Sequence, residues 1–172
     1  ATLLLATQDI GLKIGSDFAA FEPYHVTGPY AETRQCPVCE YRNLPMVFMW
    51  TSPQNTHIAK FAETMQSEVT SAGKSALKVF VLDLNRGKND RKSRQALKAL
   101  SSSWKAPDVW LLSRPAKLQG VLQDHKLLPW DKFRSLTYLV KDRKVVAKFV
   151  DWDGSDKAVD DLAMATRHML GL

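Results

Sequence analysis

The 172-residue chain is 45% hydrophobic and 24% charged, the balance of a single globular domain, which excludes a chain disordered throughout. No apolar run approaches the roughly 18 residues of a membrane-spanning helix. The net charge of +6 favours acidic partners, but the densest basic stretch, Arg86-Gly87-Lys88-Asn89-Asp90-Arg91-Lys92-Ser93-Arg94, lacks the interleaved aromatics of a nucleic-acid groove and reads as a solvated loop leading into a helix.

Residues 1–13 read as an N-terminal arm and residues 14–172 as one domain. The first residues, Ala1-Thr2-Leu3-Leu4-Leu5-Ala6-Thr7-Gln8, suit the mature end left by a signal peptidase or the tail of a signal's apolar core. The expectation taken from them is an exported protein, periplasmic or secreted. Residues 14–29 contain Gly15, Pro23, Gly28 and Pro29, so an extended, turning segment is expected rather than a helix. The cysteines follow. Met46-Val47-Phe48-Met49-Trp50, bounded by Pro45 and Pro53, is a continuous apolar run of the kind found in a buried central strand.

A helix comes next, capped by Ser52 or Asn55. Ile58, Phe61, Ala62, Met65 and Val69 form its apolar face, and Gly73 ends it. A second buried strand is expected over 77–84, a helix over 93–104, a third strand over 109–112 and a short helix over 115–122. Strands over 135–140 and 145–150 are joined by Lys141-Asp142-Arg143-Lys144, a polar link of hairpin length. An amphipathic helix over 157–170 closes the chain. Strands alternating with helices imply helices on both faces of a mostly parallel sheet, and the terminal hairpin makes that sheet mixed. The fold class is α/β.

This order resembles the thioredoxin-like fold, in its peroxiredoxin-like branch. Three stretches carry the likeness. Ile14-Gly15-Ser16-Asp17-Phe18-Ala19-Ala20-Phe21 is similar to the opening segment of that branch. Met46-Val47-Phe48-Met49-Trp50 is similar to its central strand. Leu136-Thr137-Tyr138-Leu139-Val140-Lys141-Asp142-Arg143-Lys144-Val145-Val146-Ala147 is similar to its closing hairpin. Two departures stand out. Thioredoxins place Cys-x-x-Cys after the central strand, at the start of the next helix. Here that place holds Thr51-Ser52-Pro53-Gln54-Asn55, which also removes the peroxide-attacking cysteine of a peroxiredoxin. Thioredoxins also carry a cis-proline just before the hairpin, where this chain has Ser135-Leu136.

The two cysteines are Cys36 and Cys39, in Cys36-Pro37-Val38-Cys39, upstream of the central strand. Only five residues separate Cys39 from Pro45. No helix of useful length is expected there, and Cys36 is expected to lack the helix N-terminus that lowers a reactive thiol's pKa. Arg34 and Arg42 are candidates to stabilise a thiolate, opposed by Glu40. The leading reading is a redox-active dithiol exchanging with protein thiols or disulfides, in which Cys36 attacks if it is the more exposed sulfur and Cys39 resolves. No bound cofactor is then needed. The alternative is a structural disulfide in a non-catalytic binding or scaffold module, which requires an oxidising compartment. The third is metal, although zinc wants four ligands and the pair supplies two, with His25 and His57 the nearest other soft ligands.

Asp151-Trp152-Asp153-Gly154-Ser155-Asp156 is an incomplete calcium-loop pattern without its closing glutamate. A turn and a helix cap at Ser155 or Asp156 explain it better. The remaining histidines, His125 and His168, stand apart, and there is no Gly-rich phosphate loop. Trp50 and Trp110 fall in strands, while Trp130 is a candidate for a partner surface.

Overall fold

A computed structural model describes residues 10–52, 54–84, 90–128 and 133–172. Six strands form one sheet: β1 (Tyr24–His25), β2 (Met46–Thr51), β3 (Lys78–Asp83), β4 (Val109–Ser113), β5 (Ser135–Lys141) and β6 (Lys144–Val150). Five helices accompany them: α1 (Pro37–Tyr41), α2 (Ile58–Ala72), α3 (Asp90–Ser103), α4 (Leu118–Asp124) and α5 (Asp156–Leu170). The strand order is β1-β4-β3-β2-β5-β6. The β2–β3 and β3–β4 pairs are parallel, while β1–β4, β2–β5 and β5–β6 are antiparallel. The mixed sheet expected from the sequence is present.

The first five residues of β2, Met46 to Trp50, are completely buried because the strand lies between two neighbours and under helices on both faces. Side chains alternate across a strand. Phe48 and Trp50 therefore join Phe80, Leu112, Leu136 and Tyr138 on one face, with Phe18, Phe21, Val38, Val121 and Leu122 packed over them. Val47 and Met49 join Val79, Val81, Leu111 and Leu139 on the other, under Phe61 and Met65 of α2, Leu97 of α3 and Leu162 of α5. The β5–β6 link is a two-residue loop with Asp142 and Arg143 both at positive φ, 50° and 62°, the geometry a tight hairpin demands. Residues 10–12 lie against the first face: Leu12 is buried, and its N–H donates to the Tyr138 hydroxyl at 2.8 Å.

Three elements differ from expectation. β1 is an additional edge strand, two residues long, inside the segment read as extended and turning. α2 is not capped by Ser52 or Asn55. It begins at Ile58 after His57, because the Asn55 side chain accepts from the His57 N–H at 2.9 Å and holds a turn open ahead of the helix. α1 was not expected at all. The basic stretch enters α3 at Asp90, and its first residues, 86–89, lie outside the described residues.

Candidate functional site

The segment carrying the cysteines is shaped by Pro37. A proline at the first position of a helix loses no hydrogen bond, because that N–H has no partner within the helix, and its fixed φ suits the turn. α1 accordingly starts at Pro37 and runs through the second cysteine to Tyr41, with Cys36 as its N-cap. This corrects the expectation that no helix fits. The helix uses the Cys-x-x-Cys itself, so the short distance from Cys39 to Pro45 does not limit it. Val38 points into the core and is 2% exposed. The Tyr41 ring lies 6.0 Å from Phe80 and 5.9 Å from Trp110, and Lys78 Nζ sits over both the Tyr41 and Trp110 rings. α1 is thereby docked on the sheet face that holds Phe48 and Phe80.

Cys36 and Cys39 form a disulfide, with their Cα atoms 5.2 Å apart. The Cys39 N–H donates to Cys36 Sγ at 3.1 Å. Cys36 is half-buried and Cys39 is exposed, so the more exposed partner is Cys39. Neither arginine suggested by the sequence donates to a sulfur. Arg34 donates to the Glu22 and Arg114 carbonyls, and Arg42 donates to the Cys39 carbonyl. Glu40 accepts from the Tyr30 hydroxyl at 2.6 Å and from the Gln35 side chain at 3.3 Å. Its charge is held back from the pair, and the hydrogen bond to it raises the Tyr30 pKa.

His25 is the residue whose role the sequence did not disclose. Its ring is fully buried, and Nε2 donates to the carbonyl of Gln35, immediately before Cys36, at 3.0 Å. A carbonyl only accepts, so Nε2 carries the proton. Burial lowers the His25 pKa, which favours the neutral ring. The histidine considered as a metal ligand instead anchors the approach to the disulfide. Among the described residues, no group of three or more His, Cys, Asp and Glu gathers where a metal ion could be held.

The disulfide opens onto a groove of about 360 Å³. Cys36 and Cys39 form one part of its lining, Ala20, Phe21 and Glu22 another, and Ala116, Lys117, Gly120, Val121 and Asp124 of α4 and its approach the rest. These residues are brought together by the sheet. Tyr24 of β1 pairs with Ser113 of β4, and the Ala116 N–H donates to the Glu22 carbonyl at 3.1 Å, so the segment before β1 lies beside the segment after β4.

The place after β2 where a thioredoxin-like active site is expected is also open. A cavity of about 660 Å³ is bounded by Ser52, Asn55 and His57, by Phe133 and Arg134, and by Asp151 and Asp153. It contains no cysteine and shares no lining residue with the groove at the disulfide. Ser135 and Leu136 pair with Thr51 and Trp50, so the position of the expected proline faces the end of β2. The loop with the partial calcium pattern is structural. Asp151 accepts from the Arg134 and Ser135 amides, Asp153 accepts from the Ser155 N–H, and Ser155 caps α5 by accepting from Ala158. Trp50 is fully buried and Trp110 partly so, while Trp130 lies outside the described residues.

No protein family matches the sequence, and no curated protein matches it. Solved structures do match over nearly the whole chain. A Chlorobium tepidum chain provisionally named thiol:disulfide interchange protein DsbE superposes with a TM-score of 0.65 at 11% identity, covering 93% of this chain and 99% of its own. AhpC of Mycobacterium tuberculosis gives 0.65 at 14% identity, covering 92% and 93%. A thiol:disulfide interchange protein from Bacteroides sp. gives 0.60 at 16% identity, covering 94% and 92%. At such identities the likeness is one of fold, and the fold is thioredoxin-like.

Proposed function

We propose, from a thioredoxin-like fold that presents a closed cysteine pair in a groove, that this chain carries out thiol–disulfide exchange at Cys36 and Cys39. The observation that carries this reading is the placement of the pair. A short-loop disulfide lies at the surface with one sulfur exposed, at the start of a docked helix and beside an open groove. Exchange requires a thiolate that can be formed and a sulfur that can be reached; the amide aimed at Cys36 Sγ and the exposure of Cys39 support this reading.

In the reduced form the Cys39 N–H that donates to Cys36 Sγ stabilises a thiolate on Cys36. The effect comes from one aimed amide, since a helix of five residues has little dipole of its own. Exposure alone favours Cys39 as the attacking sulfur. We assign attack to Cys36, because the population of thiolate limits the rate and the aimed amide is on Cys36 Sγ. The Cys36 thiolate attacks one sulfur of a substrate disulfide, the S–S bond breaks, and the departing substrate thiolate takes a proton from water. Cys39, deprotonated, then attacks Cys36 Sγ and closes the pair. The second substrate sulfur leaves as a thiol. The substrate gains two electrons and the pair loses two. The reverse sequence oxidises a dithiol substrate. The partners are therefore protein thiols or disulfides, and we place the chain in an oxidising compartment, the periplasm or the cell exterior, where a closed pair persists.

The test is trapping. Reduced Cys39→Ser, mixed with a neutral peptide disulfide, should accumulate a mixed disulfide on Cys36, and Cys36→Ser should do so at least about tenfold more slowly, following the thiolate fraction. Failure of both variants to form an adduct, with no catalysed reduction by the unmodified protein, would overturn the exchange reading in favour of a structural bridge.

A further inference from the structure

We infer that the face of α3 turned towards Tyr24 is a docking surface for an acidic polypeptide segment, one that brings two or three carboxylates within a span of about 10 Å. The surface shares no lining residue with the groove at the disulfide, and the inference does not depend on the exchange reading.

Arg91, Arg94 and Lys98 stand at i, i+3 and i+7 of α3, so they share one stripe of the helix. Together with Gln95 they wall a groove of about 360 Å³ whose other residues are Tyr24, Val26 and Glu32. Val26 is buried and Tyr24 half-buried, which gives the groove a floor. The stripe is a poor arrangement for a helix on its own. Like charges three and four residues apart repel, and α3 has four cationic side chains, Arg91, Lys92, Arg94 and Lys98, against the single carboxylate of Asp90. α2 and α5, by contrast, mix both signs. A local conflict of this kind is expected where function requires it, and an anion lying along the stripe removes it.

No nearby charge cancels the stripe. Arg91 and Arg94 have no carboxylate partner among the described residues. Glu32 reaches Lys98 only at 3.8 Å, with both side chains mostly in water, a weak pair. Asp90 meets Arg114 at 3.9 Å. The Arg94 guanidinium lies 4.2 Å from the centre of the Tyr24 ring, that of Arg34 lies 6.0 Å from it, and Arg34 also donates to the Glu22 carbonyl. Arg34, Arg91, Arg94, Lys98 and Arg114 thus stand against Glu22, Glu32 and Asp90, five cations to three carboxylates, a balance of +2 before Lys92 is added. The whole chain carries +6, so the field has the same sign inside and outside the screening length of roughly 10 Å at 0.1 M salt.

The length of the stripe selects its occupant. Three cations spread over about 10 Å of helix match successive carboxylates of a polypeptide, and arginine forks bind carboxylates through paired hydrogen bonds. A lone phosphate is too compact to reach all three. A nucleic-acid strand wants an open aromatic face for its bases, and Arg94 lies over that of Tyr24. An anionic bilayer is bound by surfaces that also insert apolar side chains, and none of the exposed large apolar residues among the described residues lines this groove.

The experiment follows the fluorescence anisotropy of amidated heptapeptides, each with a zwitterionic rhodamine label, as the oxidised full-length chain is added at pH 7. The probes are Gly-Asp-Glu-Tyr-Glu-Asp-Gly and its neutral counterpart Gly-Asn-Gln-Tyr-Gln-Asn-Gly. Exposed ion pairs contribute up to about fivefold each, so the acidic peptide is expected to bind about tenfold more tightly than the neutral one, with a smaller gap in 0.5 M NaCl. Arg91→Gln/Lys98→Gln should weaken the acidic peptide by about fivefold or more. Lys60→Gln/Lys157→Gln removes the same charge from exposed sites on α2 and α5 and should weaken it by less than about twofold. Arg91→Glu/Lys98→Glu should reverse the preference towards Gly-Lys-Arg-Tyr-Arg-Lys-Gly, a gain that an unfolded variant would not show. Equal binding of the acidic and neutral peptides, or equal losses in the two glutamine variants, would overturn the inference. So would displacement of the acidic peptide by inorganic pyrophosphate at a lower concentration than by unlabelled peptide. Tighter binding of an oligothymidylate, or of vesicles of phosphatidylserine and phosphatidylcholine, lost in Arg91→Gln/Lys98→Gln, would likewise assign the surface to another class of partner and overturn it.

Discussion

His125 is a titratable ring held where a charge is poorly tolerated. It is fully buried between Phe18, Phe21 and Trp50, whose rings lie 4.7, 5.5 and 4.7 Å away. Burial pushes its pKa down to about 4, whereas an unfolded histidine titrates near 6.5. Between those values the unfolded chain binds a proton that the folded chain refuses. Stability is therefore full above about pH 6.5 and falls as the pH drops towards 4. A displacement of that size corresponds to roughly 3 kcal/mol, and His25, lowered by burial as well, acts in the same direction. The urea midpoint should fall markedly from pH 7 to pH 4.5, and His125→Leu should show a shallower fall over the same window. An unchanged slope in that variant would show that the buried ring does not control acid sensitivity. Because Phe21 also lines the groove at the disulfide, the same cage supports the floor on which a substrate would rest.

The helices dock by unequal means. α2 and α5 are joined across the second sheet face by Arg167, which donates to both oxygens of Glu68 at 3.0 and 2.7 Å. The Glu68 side chain is 4% exposed and that of Arg167 is 57% exposed. Removing the arginine leaves a buried carboxylate without its cation, the costly way to break such a pair. Arg167→Ala should destabilise the fold, by less than for a fully buried pair because one partner is half in water. Adding Glu68→Gln should recover part of that loss in denaturant unfolding. No recovery would mean that the arginine acts through packing alone. Element by element, the chain was most readable where hydrophobic pattern decides structure. The apolar runs at β2 and β3, the face of α2 and the β5–β6 hairpin were legible because burial on both faces or on one stripe leaves a periodic mark. α1 was not, because its helix is made of the cysteine motif itself and is fixed by Val38 reaching a core whose other members lie far away in sequence. β1 is two residues long, too short for alternation to show. The start of α2 was misplaced because Asn55 serves a turn one step ahead of the helix.

At the scale of the molecule, two openings bear on where the chemistry sits. The expected one, at the end of β2, is a cavity without a cysteine. The other is the groove between the segment before β1 and α4, and it holds the only cysteines of the chain. That displacement was legible from the order of motif and strand. The groove itself was not, because Phe21, Cys36 and Val121 meet only through the pairing of β1 with β4. On the exchange reading, this displaced pair cycles between disulfide and dithiol in the folded protein. For a ring this small the chain-entropy contribution to stability is only about 2 kcal/mol, so the fold does not depend on keeping the bond closed. The direct measurement is the reduction potential of the Cys36–Cys39 pair in the native full-length chain, read by thiol quantification across redox buffers. A reversible transition is expected between about −180 and −300 mV, the span of exchange-active dithiols. A potential well below about −300 mV, or a bond that resists reduction until the chain unfolds, would contradict it.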